Sequence, residues 1–498
     1  MDGQTITSVV PFLAVLVSLA AVPLIILSSK RPNLREFWTV AAGLVKFGLV
    51  LSLIPLALKG GTTALDLFEI APGVHLALRA DPFGVFFAVI ASGLWIFTSF
   101  YSIGYMRGLD EHKQTRYFSY FAVCLSTTVG IAFSANLFTF IIFYEILTVA
   151  TYPLVIHKET KTAIHAGRKY LAYTLTAGVF LIAAAAWTYS LTGSLDFTPG
   201  GLLKDLGLTA GTAVPLFAVF LMGVGVKASI MPLHGWLPTA MAAPTPVSAL
   251  LHAVAVVKSG VFGVIRVVAF IFGPELMKEH GLNIILSIFA ATTIILGSLL
   301  ALKQDNLKRR LAYSTIAHLS YIVLGAGLVG TTALMGGMLH IAFHATMKIT
   351  LFFCAGAIYV NLHRENISEL NGIGKVMPWT MGAFAVGAVG LAGIPPVNGF
   401  ISKWYLGAGA VETGQIIFVA VLVLSGILNA AYFFPIVQRA FFRRGQGLKD
   451  HKEASPFMVV PLVVTAVLSV LFGLYPDLFF KFYQLAKTVA LSVFAGGL

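Results

Sequence analysis

The chain has 498 residues, of which 58% are hydrophobic and only 11% are charged. A soluble globular protein carries about 25% charged residues, so this composition indicates a protein embedded in a membrane. The formal net charge is +13. The distribution of those charges, described below, argues against a nucleic-acid-binding protein.

Apolar stretches of about 20 residues, the length that crosses a bilayer as a helix, recur along the whole chain. The first, from Ser8 to Leu27, lacks the basic start of a signal peptide and is predicted to be a spanning helix. The sequence therefore predicts an all-α membrane protein with roughly fourteen transmembrane helices. In chain order the predicted spans cover residues 8–27, 36–58, 82–105, 117–134, 136–156, 168–191, 213–242, 245–272, 281–302, 310–328, 333–361, 377–409, 414–440 and 456–475.

The connections between these helices alternate between strongly and weakly basic. One alternate set contains 21 basic residues, namely Lys30, Arg31, Arg35, Arg107, Lys113, Arg116, Lys158, Lys161, Arg168, Lys169, Lys303, Lys308, Arg309, Arg310, Arg364, Lys375, Arg439, Arg443, Arg444, Lys449 and Lys452. The other set, with the C-terminus, contains six, namely Lys59, Arg79, Lys204, Lys278, Lys481 and Lys487. Because basic loops stay in the cytoplasm, we expect a prokaryotic-type inner-membrane protein with both termini outside the cytoplasm.

The remaining basic residues fall inside predicted spans, where a central charge costs about 2.5–3.5 kcal/mol on insertion scales. Such residues usually face the bundle interior or a water-filled cavity and carry a function, although some only stabilise an assembly through ion pairs. Lys46 and Arg266 are expected to reach the membrane surface or a neighbouring subunit. The candidates for proton transfer are Lys227, Lys258, Lys348 and Lys403, with Glu145 and the histidines at similar depth, His252, His318, His340 and His344.

Proline and glycine interrupt two of the predicted spans. Pro232 and Pro238 lie in the first interruption, and Pro395 and Pro396 lie in the second. When residues 223–236 are aligned with residues 387–400, an offset of 164 positions, five aligned residues are identical. Since the interrupted spans are the seventh and the twelfth, with four helices between them, they cross the membrane in opposite directions, which makes the repeat inverted. Paired interruptions of this kind indicate the ion path in inverted-repeat transporters.

This repeat divides a single polytopic membrane domain, residues 1–498, into four parts. The predicted parts are the first three helices in 1–110, a first inverted repeat of helices 4–8 in 117–272, a second of helices 9–13 in 281–440, and a C-terminal helix with an interfacial tail in 456–498.

Four motifs then carry a resemblance to a known family. They are Lys227-Ala228-x-x-x-Pro232-Leu233-His234-x-Trp236-Leu237-Pro238 continuing to His252, Lys308-Arg309-x-Leu311-Ala312-Tyr313-Ser314, His340-x-x-x-His344-x-x-x-Lys348, and Leu391-Ala392-Gly393-Ile394-Pro395-Pro396-x-x-Gly399-Phe400-x-Ser402-Lys403. The chain resembles the proton-conducting antiporter-like subunits shared by respiratory complex I, Mrp cation/proton antiporters and energy-converting membrane-bound hydrogenases. The resemblance covers roughly residues 80–440 in the family's order.

The resemblance implies a role in proton translocation for each buried polar residue. Glu145 on the fifth helix would pair with Lys227 at the break of the seventh, and Lys403 on the twelfth would lie nearest the outer exit. The relay between them would consist of His252, Lys258, His318, His340, His344 and Lys348. One complex I paralogue has glutamate in place of Lys403, so the lysine argues against that paralogue.

The chain departs from the largest relatives in two respects. It lacks the lateral amphipathic helix of the largest complex I subunit and the extra C-terminal helices of the largest Mrp subunit. The stretch from Pro244 to His252 nevertheless resembles those large subunits. The similarity of this stretch to the large subunits, combined with the two missing segments, favours an Mrp D-type or a hydrogenase-type membrane subunit.

A simple electrostatic switch would suffice to move a proton along such a row. Burial disfavours a charged lysine, whereas a nearby carboxylate favours it. At an effective dielectric constant near 20, unit charges about 4 Å apart interact by roughly 4 kcal/mol. Separating Glu145 from Lys227 would therefore promote release of the lysine proton.

No cofactor is expected in this chain. An iron–sulfur cluster needs about four thiolates, but the chain has only Cys124 and Cys354, which also imply no disulfide framework. His340 and His344 share one helix face, whereas a bis-histidine haem needs ligands from opposite sides of its ring, so a haem-bearing electron carrier is disfavoured. Any redox chemistry, as in an NADH:quinone oxidoreductase-like or hydrogenase complex, is expected in partner subunits.

The expected partners are other membrane subunits of an Mrp-, hydrogenase- or complex I-like assembly, with lipid around them and no nucleic acid. Protons are the expected ion, because lysines repel cations, and sodium would need acidic or carbonyl ligands in partner subunits. One alternative stays open, a proton-driven partner in an inorganic-carbon uptake complex. A self-sufficient substrate transporter fits the inverted repeat, but nothing in the sequence suggests an organic substrate site.

Overall fold

The computed structural model describes residues 4–445, 448 and 452–495. Lys449, counted above in a basic loop, and residues 496–498 of the predicted tail lie outside the described residues. Within the described part, eleven helical stretches are long and apolar enough to cross a bilayer. The prediction of an all-α multi-spanning membrane protein is confirmed, except that the fold also contains a small sheet.

The helices fall at or near the predicted spans. They are α1 Val10–Leu27, α2 Pro32–Leu51, α3 Ile54–Leu58, α4 Pro82–Gly108, α5 Gln114–Ala132, α6 Leu137–Val155, α7 Lys161–Thr192, α8 Ala210–Lys227, α9 Trp236–Thr239, α10 Thr245–Ala249, α11 Val256–Arg266, α12 Pro274–Glu279, α13 Leu282–Leu302, α14 Leu307–Gly327, α15 Thr331–Leu362, α16 Pro378–Ala392, α17 Gly399–Glu412, α18 Ile417–Phe442, α19 Pro456–Leu474 and α20 Phe482–Phe494. Two π-helical turns, Leu250–Val254 and Val267–Phe272, make α10 and α11 parts of one continuous stretch. Short 3₁₀ turns occupy Lys204–Leu206, Ala240–Ala242, Ile367–Glu369 and Ile373–Lys375.

A three-stranded sheet, which the sequence analysis did not predict, covers one end of the bundle. Strand β1 (Thr5–Thr7) runs parallel to β2 (Thr62–Ala71), which pairs antiparallel with β3 (Val74–Ala80). Pro72 and Gly73 form the turn between β2 and β3, and Gly73 adopts a φ of 72°. Glycine accepts this left-handed conformation without steric cost. The outer loop predicted between the second and third spans is therefore an ordered hairpin.

The first strand and the last helix lie at the same face of the molecule. Strand β1 pairs with β2, and α20 packs against α3, the short helix that leads into β2. The described ends of the chain thus both lie next to the segment formed by α3 and β2.

The helices that carry the buried polar residues lie at the centre of the bundle. The most apolar 18-residue windows of Thr245–Phe272 and Thr331–Leu362 are fully buried, whereas those of α1 and α18 are one-third buried. Large hydrophobic side chains of the outer helices, such as Leu24 and Ile427, are exposed on the outside of the bundle. The polar side chains of the central helices are therefore held away from that surface.

Candidate functional site: a row of buried lysines and histidines

The first predicted helix break is present. Helix α8 ends at Lys227, and residues 228–235, including Pro232, are non-helical before α9 begins at Trp236 and continues through Pro238. The indole Nε1 of Trp236 donates a hydrogen bond of 2.8 Å to the carbonyl oxygen of Val226. Irregular backbone at membrane depth persists only where protein or water satisfies it, and here a side chain does so.

The second predicted break separates α16 from α17. Its non-helical residues, 393–398, include Pro395 and Pro396. The carbonyl oxygen of Leu391, near the end of α16, accepts hydrogen bonds from Lys403 Nζ at 2.7 Å and from Asn429 Nδ2 at 3.0 Å. A lysine side chain therefore binds directly to the backbone that the helix break exposes.

Lys227 lies against the aromatic residue that precedes Glu145. Its Nζ donates a 2.5 Å hydrogen bond to the carbonyl oxygen of Tyr144 and lies 3.3 Å from the centre of that tyrosine ring. A cation in this position is attracted by the ring face. Among the described residues, no ion pair within 4.0 Å joins Lys227 to Glu145. The structure therefore shows the lysine next to the glutamate's helix but not bonded to its carboxylate.

Glycine provides the space that the Glu145 carboxylate occupies. A Cβ placed on Gly178 of α7 would lie 2.7 Å from both Cδ and Oε1 of Glu145. The Oε1 atom is buried and has no hydrogen-bond partner within the described structure. The carboxylate thus fits into a gap in α7 and stays unpaired there.

We expect Gly178→Ala to impair ion pumping more than it impairs stability. The added methyl would push the carboxylate out of its gap, and a 1 Å misplacement can cost about 100-fold in rate. The free energy of unfolding should change little, because alanine also favours the helix by roughly 0.5–1 kcal/mol. Pumping and thermal unfolding would be measured on the same preparation. Gly48→Ala in α2 is the control, since a Cβ there meets nothing within 4 Å, and equal pumping by the two variants would contradict the positioning role.

The centre of the bundle contains a hydrogen-bonded series of basic side chains. Lys258 Nζ lies 2.9 Å from His344 Nδ1, and His318 Nδ1 lies 3.1 Å from His340 Nε2. The other ring nitrogen of His340, Nδ1, lies 2.8 Å from the hydroxyl of Ser402. All of these side chains are fully buried. His340 therefore bridges two partners, and the second is the residue immediately before Lys403.

The two pairs of this series are close to each other. The rings of His318 and His344 stack with centroids 5.4 Å apart. Both rings carry a buried Nε2 that has no hydrogen-bond partner in the described structure. The series is thus continuous in space, with two unpartnered nitrogens at the junction between its halves.

A second polar connection leads from Lys348 toward Lys403. Lys348 Nζ donates a 2.8 Å hydrogen bond to Ser314 Oγ, and the Ser314 hydroxyl lies 2.9 Å from that of Tyr432, to which it can donate its own proton. The Tyr432 hydroxyl in turn hydrogen-bonds to Asn429 Oδ1. Because Asn429 and Lys403 share the Leu391 carbonyl, both polar connections meet at the second helix break.

His252 lies apart from these hydrogen-bonded groups. It is fully buried in the first π-helical turn, its ring is 4.7 Å from that of Phe352, and neither ring nitrogen has a partner in the described structure. Sequence reasoning assigned no role to Tyr432 and Asn429, although polar residues inside a predicted apolar span are the signal that would have found them.

The expectations for Lys46 and Arg266 are wrong, because both side chains are buried within the chain. Lys46 Nζ donates a 2.6 Å hydrogen bond to Ser18 Oγ. Arg266 forms a bidentate ion pair with Asp81, with contacts of 2.6 and 2.8 Å. Asp81 also accepts a hydrogen bond from the backbone amide of Gly84 and so caps the start of α4. Each cation therefore finds a partner in its own bundle and does not need the membrane surface.

Comparison with known proteins shows the family to which this chain belongs. The chain belongs to the family described as NADH:quinone oxidoreductase/Mrp antiporter, TM, whose profile matches residues 134–428. That match includes both helix breaks and every candidate proton-transfer residue. The predicted family is thereby confirmed.

Individual relatives cover most of the chain. It is 31% identical over 419 residues to NADH-quinone oxidoreductase subunit N of Desulforudis audaxviator, an alignment that covers 80% of this chain and 83% of that protein. It is 29% identical over 471 residues to the D component of the Na(+)/H(+) antiporter of Alkalihalophilus pseudofirmus, covering 92% of each. Its fold matches a chain of the Mrp complex from Dietzia sp. DQ12-45-1b with a TM-score of 0.88, at 21% identity and 98% coverage of both chains.

Proposed function

We propose that this chain is the proton-translocating membrane subunit of a multi-subunit ion-pumping complex. The observation that carries the proposal is the row of basic side chains from Lys258 to Lys403, whose lysine–histidine and histidine–histidine pairs are fully buried and hydrogen-bonded and whose last member is partly buried. Intramembrane ionisable groups that face a bundle interior mark ion pathways and proton relays. The relatives named above, one from an NADH-quinone oxidoreductase and one from a Na(+)/H(+) antiporter, support the same function.

The chemistry of the central series suits proton transfer. A neutral histidine carries a donor on one ring nitrogen and an acceptor on the other, so His340 can take a proton at Nε2 and release one at Nδ1. Ser402 can likewise accept and donate through its hydroxyl. Between His344 and His318, a water molecule that bridges the two unpartnered Nε2 atoms would complete the path. Buried polar groups of this kind are the sites where ordered water binds.

The two ends of the path are proposed to be Lys227 and Lys403. Glu145 would hold the proton on Lys227 when its carboxylate swings toward the ammonium group and would release it on moving away. His252 and Lys258 would pass the proton on to the central histidines, with Lys348 as a second entry to the same series. At the far end, the proton would leave from Lys403, which also borders a largely apolar cavity of about 670 Å³ between α17 and α18.

The proposed architecture is fourteen spans with two inverted repeats in 117–272 and 281–440, preceded by helices in 1–110 and followed by the segment 456–498. Both termini would lie outside the cytoplasm of an inner membrane, because the basic connections lie at the opposite face. We propose an Mrp-type or related respiratory assembly as the partner, with any cofactor held by other subunits. The similarity to the D component of a Na(+)/H(+) antiporter along 92% of both chains supports this choice.

Replacing His340 with alanine should stop proton movement through the assembled complex. The variant loses both bridges of the central series, and loss of a proton-transfer group typically costs about 100-fold or more. The complex would be isolated through a tag on this chain, reconstituted in vesicles with an enclosed pH-sensitive dye, and energised by a sodium gradient or by an electron donor suited to the subunits that co-purify.

A surface histidine on the same chain provides the control for this experiment. His165 is exposed on α7, so His165→Ala should leave proton movement unchanged. Gel filtration would show that both variants assemble. Proton movement at the wild-type rate in the His340→Ala complex would rule out the proposed path.

A further inference from the structure

A cluster of metal-ligating side chains lies outside the proposed proton path, at the basic face of the bundle. Glu111 and His112 belong to the loop between α4 and α5, and His157 follows the end of α6. One potential ligand atom of each residue lies within 4.8 Å of the others. The cluster therefore joins two connections that are far apart in the sequence.

The three side chains are already close to the arrangement that would hold a metal ion. His157 Nε2 and His112 Nδ1 lie 3.8 and 3.9 Å from Oε2 of Glu111. The two imidazole rings stack with centroids 5.0 Å apart and an angle of 26°. Ligands of a zinc ion lie about 2.0–2.2 Å from the metal, so a movement on the order of 1 Å would bring all three into contact with one ion. His112, whose side chain is 44% exposed, has the freedom to make that movement.

The buried histidine supplies an independent indication of a ligand. His157 is fully buried, and neither of its ring nitrogens has a hydrogen-bond partner within the described structure. A buried polar group without a partner loses its hydrogen bonds to water and gains none in return. Its Nε2 is the atom directed at the Glu111 carboxylate. A metal ion between them would satisfy both groups.

The basic residues near the cluster pair with another carboxylate, so the Glu111 carboxylate is available to bind a metal ion. Lys113 and Arg116, the basic residues that follow the cluster in the sequence, both bind Glu159, with contacts of 2.7 and 2.6 Å. Among the described residues, no lysine or arginine lies within 4.0 Å of Glu111. Glu159 itself lies 3.9 Å from His112 Nε2, the ring nitrogen that faces away from Glu111, where a carboxylate can orient the ring from outside the site.

We propose that Glu111, His112 and His157 bind a divalent transition-metal ion, with Zn²⁺ as the best match. Two imidazoles and one carboxylate suit zinc and its neighbours better than the hard cations Mg²⁺ and Ca²⁺, which take oxygen ligands. Three protein ligands leave a fourth position for water. The bound ion would tie the α4–α5 loop to the end of α6, the helix whose middle carries Glu145.

Zinc binding to the purified full chain tests the proposal. After treatment with a chelator, zinc chloride would be titrated in competition with a coloured zinc indicator, and we expect one ion per chain. Loss of a partner behind a metal ligand already costs about 10–100-fold in affinity. His112→Ala and Glu111→Gln, which change residues at the edge of the fold, should therefore each lower the zinc affinity at least about tenfold.

His165→Ala is the matched control, because it removes an exposed histidine from the same face without touching the cluster. It should bind zinc like the wild type. Cobalt absorption in the wild type, absent in His112→Ala, would add evidence for direct histidine coordination. Equal zinc affinity in the wild type and His112→Ala, or no stoichiometric binding at all, would overturn the proposal. Neither result depends on ion pumping, so the test is separate from that of the proposed function.

Discussion

Replacing Lys227 with alanine should abolish ion pumping by the assembled complex, and Glu145→Ala should do the same. Lys227 ends α8 at the first helix break, and its ammonium group is the only side-chain cation that contacts Tyr144 within the described structure. Without it, the proposed path loses the proton carrier that contacts α6. Without Glu145, the lysine loses the carboxylate that alternately favours and disfavours its charge.

Pumping would be measured in reconstituted vesicles, with protein assembly checked by gel filtration. Lys46→Met is an informative control, because Lys46 is equally buried in a span but hydrogen-bonds only to Ser18. That variant should pump normally. Wild-type pumping after either Lys227→Ala or Glu145→Ala would refute the proposed role of the pair, and loss of pumping in Lys46→Met would show that any buried lysine matters.

The sequence was most informative about the helices. Hydrophobic length determines where a spanning helix can lie, and the predicted span 245–272 coincides with the continuous helical stretch Thr245–Phe272. The two breaks were also predictable, because proline and glycine disrupt helices by a local mechanism. Both are visible in the chain at their predicted positions, between α8 and α9 and between α16 and α17.

Contacts between distant residues could not be predicted in the same way. Arg266 and Asp81 are 185 positions apart, so no local pattern shows that one neutralises the other. An arginine inside a span was therefore assigned to the surface, where its charge costs less. The same limitation applies to Ser402 and Tyr432, whose partners come from other helices.

The hairpin of β2 and β3 shows a different limitation. Its residues are neither long nor apolar enough to form a span, and hydropathy alone assigns such a segment to a loop. The alternation of strand residues and the Pro72-Gly73 turn were present in the sequence. Strand pairing with β1, which fixes the N-terminal segment against the hairpin, depends on a contact made only in the folded protein.

Asp81→Ala should destabilise the folded chain by about 3–5 kcal/mol, the cost of removing one partner of a buried ion pair. Arg266 is fully buried and surrounded by aromatic rings, with its guanidinium carbon 4.5 Å from the centre of the Phe270 ring. Asp81 supplies both of its ionic contacts and also caps α4. The loss of the cap adds about 1 kcal/mol. The free energy of unfolding would be measured in mixed micelles by titration with denaturing detergent.

A double variant distinguishes the loss of the ion pair from the cost of leaving Arg266 charged and unpaired. Asp81→Ala combined with Arg266→Leu should be more stable than Asp81→Ala alone, because the second change removes an uncompensated buried charge and substitutes an apolar side chain. The two effects are expected to be non-additive, since the residues are in direct contact. Asp205→Ala, at an exposed acidic residue, should change the free energy of unfolding by less than about 0.5 kcal/mol. Additive losses in the double variant would mean that Asp81 stabilises α4 through its cap alone and that Arg266 does not depend on its carboxylate.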